Sequence, residues 1–295
     1  MDFKLWYKRQ AVKYFSNRIE PHLSHFKDIK QDLIKARIDY SLLEYFSLAS
    51  FSSALAFVFV FILLTAITYL IPSFDILVGV IFSLNMSVFL AALTFFVFYI
   101  FPSFEAKERA KKIDYSLPFA TTYMATVSGS EAPPTTMFKI LSNFNEYPEI
   151  ALEAGRIVRN IEMLGMTVIE ALFQAAKESP SEKFKELVWG ISTTLRTGGD
   201  LTDFLHEKAR AYMRDYRREL NQYSNTLSTF LEVYLTLVIV GSIFFIIITS
   251  IISAFGLSEA MGSLVVFSQF AVVFLLLPGI SIGFIYLLKG ISPES

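Results

Sequence analysis

Gly198, Gly199 and Asp200, in the stretch LRTGGDLTDFL at 195–205, are the first residues whose types and spacing could do chemistry. A double glycine either frees backbone N–H groups to cradle a phosphate or turns the chain sharply. A phosphate loop needs a strand before its glycines and a lysine followed by Ser or Thr after them. Here the preceding residues are helix formers, Asp200 stands where the anion would sit, and the next lysine is Lys208. The stretch reads as a helix–helix corner, and no nucleotide or other cofactor is expected on this chain.

The remaining reactive residues point the same way. The chain has no cysteine, which excludes disulfides and thiolate metal sites, and its three histidines are His22, His25 and His206. His22-x-x-His25 has helical metal-binding spacing but no further ligand beside it, so no metal is expected. There is no Ser-His-Asp grammar and no Walker lysine, so no enzyme is expected. A net charge of −1 gives no footprint for nucleic acid. Glu232 lies near the end of an apolar run and reads as an interfacial carboxylate. Asp75 and Glu259 fall in short turns between apolar runs.

The elements that must position these residues are mostly apolar. The chain is 54% hydrophobic and 18% charged, with a mean hydropathy of +0.49. Two apolar blocks dominate, each long enough for two spans of about 20 residues. The first predicts membrane helices at 46–71 and 76–101, the second at about 230–255 and 263–288. Lysine and arginine give the orientation: nine in 1–44, sixteen in 102–228, Lys289, and none in the two short turns. Both termini and the central region are therefore expected in the cytoplasm of a multi-pass cell-membrane protein. The first apolar run is too long and too late for a signal peptide.

The expected organisation is an N-terminal cytoplasmic helical segment (1–44), spans 1 and 2 (45–101), a cytoplasmic helical bundle (102–229), spans 3 and 4 (230–289) and a short cytoplasmic tail (290–295). The fold class is all-α. Within 102–229, Gly129, Pro148, Gly165, Pro180 and Gly198 are regularly placed and read as the punctuation of successive helices. Helices are expected at about 104–128, 135–145, 148–164, 167–178, 180–197 and from 200 onward. Thr167 and Glu170 form a capping box, Ser179 and Glu182 suggest another, and Asp200 can cap the last helix. Ile150, Ala154, Ile157 and Ile161 form an apolar stripe. The last helix carries a continuous face from Leu201 to Leu227 and a basic face of Arg210, Arg214, Arg217 and Arg218. With no glycine or proline before Gly241, it is expected to run unbroken into the third span. The basic face suits either anionic headgroups or a docked protein.

This pattern of two spans, a helical domain and two spans, with LGMTVIEAL (164–172) and LRTGGDLTDFL (195–205), resembles the type II secretion F family. That family takes in type IV pilus platform proteins, tight-adherence C proteins and archaellum J proteins. The resemblance covers about 102–290 and departs from the family near Gly129, where SGSEAPPTTMFKIL carries two prolines. It implies a non-enzymatic platform for a filament or secretion machine, contacting a hexameric cytoplasmic ATPase and pilin-like subunits in the lipid bilayer. Gly165, Thr167, Glu170, Gly198, Gly199 and Asp200 then mark the helix corners, and Arg196, Arg210, Arg214, Arg217 and Arg218 the expected ATPase contact. One helical domain where many relatives have two suggests a homodimer or a heterodimer with a paired homologue. The alternative function is a small-solute transporter or channel, for which the spans offer Asn85 and scattered Ser and Thr as polar residues and Gly79 and Gly241 as the main soft points.

Overall fold

Apolar runs of this length can satisfy their backbone polar groups in a bilayer only by becoming helices or closed barrels, and helices form here. The computed structural model describes residues 3–21, 27–70, 76–130, 132–254, 267 and 269–291. In chain order the helices are α1 (Phe3–Ile19), α2 (Lys27–Lys35), α3 (Leu42–Leu70), α4 (Ile76–Ser128), α5 (Pro134–Leu141), α6 (Pro148–Glu162), α7 (Val168–Glu178), α8 (Glu182–Thr197), α9 (Leu201–Leu235), α10 (Gly241–Ala254) and α11 (Leu277–Ile291). Single π turns at Thr236–Val240 and Val272–Leu276 precede the last two. No strand occurs among the described residues. Four helical stretches are long and apolar enough to cross a membrane: Leu42–Tyr69, Leu77–Ser128, Leu201–Ile252 and Gln269–Leu288. The chain is an all-α, multi-pass membrane protein. His22, His25, Asp75 and Glu259 lie outside the described residues.

The helices group into two compact units, Met1–His206 and Glu207–Ser295. In the first, α3 and α4 pack as an antiparallel pair along a seam of small residues. A Cβ added to Gly79 would come within 2.9 Å of the Thr68 Cβ, so glycine is what allows this approach. Ser83 and Ser87 are fully buried on the same seam, and such residues favour close helix contact in membranes. α1 lies against α3, with Tyr7 hydrogen-bonded to Ser52 at 2.7 Å and its ring 5.0 Å from that of Phe51.

The sequence predicts a break between a span ending at 101 and a helix starting near 104. Instead α4 is one helix of 53 residues with Pro102 and Pro118 inside it. A proline in a helix lacks the N–H that would bond the carbonyl four residues earlier. For Pro102 that carbonyl belongs to Phe98, and the Tyr45 hydroxyl of α3 donates to it at 2.8 Å. The neighbouring helix replaces the missing bond, and the proline is tolerated.

The second half of α4 forms the core of the polar domain with α5 to α8. Ile113, Leu117, Met124, Phe138, Leu141, Ile150, Ile157, Leu172, Phe184, Leu187 and Ile191 are all nearly or completely buried. Truncating any of them to Ala costs ~2–5 kcal/mol. Gly129 ends α4 and the two following prolines start α5, Pro134 occupying the first turn. In the second unit, Tyr234 hydrogen-bonds Ser281 at 2.8 Å and stacks on Phe284 at 4.4 Å, and the Gln269 amide donates to the Thr249 hydroxyl at 2.9 Å. These contacts tie its two spans together.

Candidate functional site

Two sharp corners, at Gly165 and Gly198, organise the polar domain. Gly165 has φ +66° and Gly198 φ +69°, both left-handed. A Cβ at either would meet nothing within 4 Å, so glycine is required there by backbone conformation and not by crowding. At the first corner the Met166 N–H reaches back to the Asn160 carbonyl at 3.1 Å, closing α6. Thr167 then opens α7: its Oγ1 accepts from the Glu170 N–H at 3.3 Å, and the Glu170 carboxylate accepts from the Thr167 N–H at 3.0 Å. That N–H bond, with a second from the Thr167 hydroxyl, holds the Glu170 carboxyl below its ordinary pKa.

At the second corner the Gly199 N–H bonds the Thr194 carbonyl at 3.0 Å, and Asp200 Oδ1 accepts from the Asp203 N–H at 3.0 Å to start α9. Phe204 then folds back on α8. A Cβ on Gly190 would sit 2.3 Å from the Phe204 Cζ, so the ring fills the space that a side chain at 190 would need. Gly190 therefore helps fix the corner, and its signal in the sequence was a lone glycine inside an amphipathic helix. The intervening turn differs from the expected Ser179 cap. α8 begins at Glu182 with Ser181 as its cap, accepting from the Phe184 N–H at 2.9 Å. The Ser181 hydroxyl also donates to Asp114 of α4, and this tertiary bond places the helix start two residues later.

Arg196 is exposed near the end of α8, in the first unit. Arg210, Arg214, Arg217 and Arg218 are exposed along α9 in the second unit. The Arg218 guanidinium lies 3.5 Å from Asp215. Glu232 is exposed further along the same helix. The helical path from Leu201 to Ile252 is continuous through the π turn at Thr236–Val240. The helix that starts at the second corner is thus the third apolar span.

A buried ionic cluster, absent from the sequence reading, anchors the N-terminal segment to this domain. Glu153 of α6, with 1% side-chain exposure, receives Arg109 of α4 at 3.0 Å and Arg37, just beyond α2, at 2.9 Å. Arg109 also pairs with Glu149 at 2.9 Å and donates to the Lys35 carbonyl. Burial depresses the Arg37 pKa, with Glu153 opposing the shift and Arg109 adding to it. Arg37 adopts φ +56°, a strained conformation for a non-glycine residue, and the ion pair holds it there. Beside the cluster lies a cleft of about 800 Å³ lined by residues that include Arg37, Leu152, Arg156 and Arg159. Glu153 was detectable: it lies between Ile150 and Ala154 on the buried stripe of α6, where a carboxylate needs a partner.

Comparison with known proteins places these features. Residues 120–249 match the family model for type II secretion system (T2SS), protein F. That match takes in both corners, the basic stretch of α9 and most of the third span. An uncharacterized protein of Methanocaldococcus jannaschii is 25% identical over 199 residues, covering 66% of this chain and 33% of that protein. The Flagella accessory protein J of the same organism is 25% identical over 218 residues, covering 72% of this chain and 38% of that protein. The chain thus spans little more than a third of the length of these relatives. No solved structure matches it.

Proposed function

Because residues 120–249 carry a type II secretion system protein F domain, we propose that the chain is the membrane platform of a type IV filament or type II secretion-like machine. In this reading a hexameric cytoplasmic ATPase docks on the polar domain, and pilin-like subunits pass through the bilayer beside the spans. Both termini and the polar domain face the cytoplasm, as the lysine and arginine distribution favours. The chain performs no chemistry of its own: nucleotide is held and hydrolysed by the partner. A second copy, or a paired homologue, completes the platform. The kinship with an archaeal flagella accessory protein supports a filament as the product.

The observation that carries the reading is the continuity of Leu201–Ile252. A helix is stiff along its axis, and this one begins at the corner set by Gly198 and Asp200 and ends in the bilayer. Its 52 residues would reach roughly 80 Å at 1.5 Å per residue. A push on its basic stretch is delivered to the membrane without a hinge. The arginines at 210, 214 and 217 lie within one turn-spaced strip, a form suited to an acidic docking surface. Co-purification from membranes tests this: Arg214→Glu with Arg217→Glu is expected to lower recovery of the assembly ATPase at least about ten-fold, as loss of two interfacial charge pairs implies. Undiminished recovery overturns the docking role of α9.

A further inference from the structure

The apolar stretch of α4 has two faces, and their chemistry differs. One carries Gly79, Ser83 and Ser87 and is closed against α3. The other carries Ile81, Phe82, Phe89, Leu93 and Phe96, all exposed large apolar side chains suited to lipid. Asn85 interrupts that second face. At 100° per residue it points about 200° away from Ser83, and it is exposed. It lies about 5 Å from the middle of the apolar run 76–101, counted at 1.5 Å per residue.

A primary amide has two N–H donors and a carbonyl acceptor. The Asn85 Nδ2 donates to the Ile81 carbonyl of its own helix at 2.8 Å. That bond uses one of the two donors, and hydrocarbon at this depth offers no partner for the other donor or for the acceptor. Polar side chains near the midplane are satisfied across helices. We infer that the Asn85 face of α4 is the contact with a second copy of this chain, in which the two Asn85 amides hydrogen-bond to each other.

Two arguments select a second copy over other occupants. Copies inserted in one membrane share an orientation, so a two-fold axis between them runs along the membrane normal. Each residue of α4 then lies at the same depth as its counterpart, and Asn85 meets Asn85. The amide is also self-complementary: the donor left over on each copy fits the acceptor left over on the other. A single Asn at a helix–helix contact fixes parallel pairing and register in this way. The inference deepens the platform reading, and rests on it only for the presence of a second copy.

The chain has no cysteine, so one introduced thiol reports one contact. Ile81→Cys and Phe89→Cys lie one turn either side of Asn85, and Ser87→Cys lies on the α3 seam as a control. In nanodiscs large enough for two copies, oxidation is expected to give disulfide-linked dimers from the first two and none from the third. Adding Asn85→Leu to Phe89→Cys should weaken association about 5- to 30-fold, the range for an interhelical amide pair. Asn85→Gln should restore it. Leucine suits a lipid-facing position, and an unchanged circular dichroism spectrum and thermal midpoint would verify that the variant folds. Dimers that form without cross-linking at 81 or 89, or that ignore Asn85→Leu, overturn the inference and leave the platform reading standing. A chain that stays monomeric overturns both the inference and the second copy. Cross-linking of residue 89 to a cysteine in 230–288 of the same chain also overturns it.

Discussion

Gly165 and Gly198 show how much of this molecule is set by single residues. Both are left-handed, both have empty space where a side chain would go, and so a substitution is opposed by backbone conformation alone. Gly198→Ala is expected to destabilise the corner by about 1–2 kcal/mol, read as a lower thermal midpoint of the detergent-solubilised chain. The two corners were legible because glycine after a helix and Thr-x-x-Glu before one are local signals. The Glu170 cap adds a pH dependence. Its folded pKa is depressed, so its contribution is full above the ordinary value of 4.5 and is lost as pH falls through and below it. Hydrogen exchange at the first turn of α7 should accelerate, relative to the intrinsic rate, below about pH 4.5, and Glu170→Gln should remove that acid step. The ionic cluster was legible only in part. Glu153 announced a partner, but Arg109 and Arg37 are 44 and 116 residues away in sequence, and no spacing rule reaches so far. Glu153→Ala leaves the buried Arg109 and the partly buried Arg37 short of a carboxylate, and should cost about 3–5 kcal/mol.

At the scale of elements, the apolar runs gave the spans directly, because a bilayer accepts few alternatives to an unbroken helix. The helix break expected at Pro102 does not occur, for a specific reason. Proline is a stop signal when its unpaired carbonyl must find water, and here Tyr45 on another helix supplies the bond. Tyr45→Phe should therefore orphan the Phe98 carbonyl and destabilise the α3–α4 pair by about 1–3 kcal/mol. Pro102→Ala restores an N–H within α4, so the double variant should recover most of that loss. Additive losses in thermal stability would contradict this account of α4. The Ser181 cap teaches a related lesson: two serines two residues apart are equivalent by local rules, and Asp114 on a distant helix decides between them.

At the scale of the whole molecule, the order of two spans, polar helical domain and two spans was readable from hydropathy and helix punctuation alone. What composition and periodicity do not contain is how a long helix is used. Ser228 is an exposed position within α9, between its basic stretch and the apolar span. Proline there removes a backbone bond and costs roughly 3 kcal/mol of helix, interrupting the element proposed to carry movement while leaving Arg210 to Arg218 intact. The most direct measurement of the central claim is ATP-dependent displacement of a fluorescent pilin-like subunit from liposomes containing this chain and the proposed partner ATPase. Displacement is expected with the wild-type chain and to be lost with Ser228→Pro, which should still bind the ATPase. Equal displacement by the Ser228→Pro chain, or displacement without any copy of this protein, would contradict the claim that α9 couples the ATPase to the membrane.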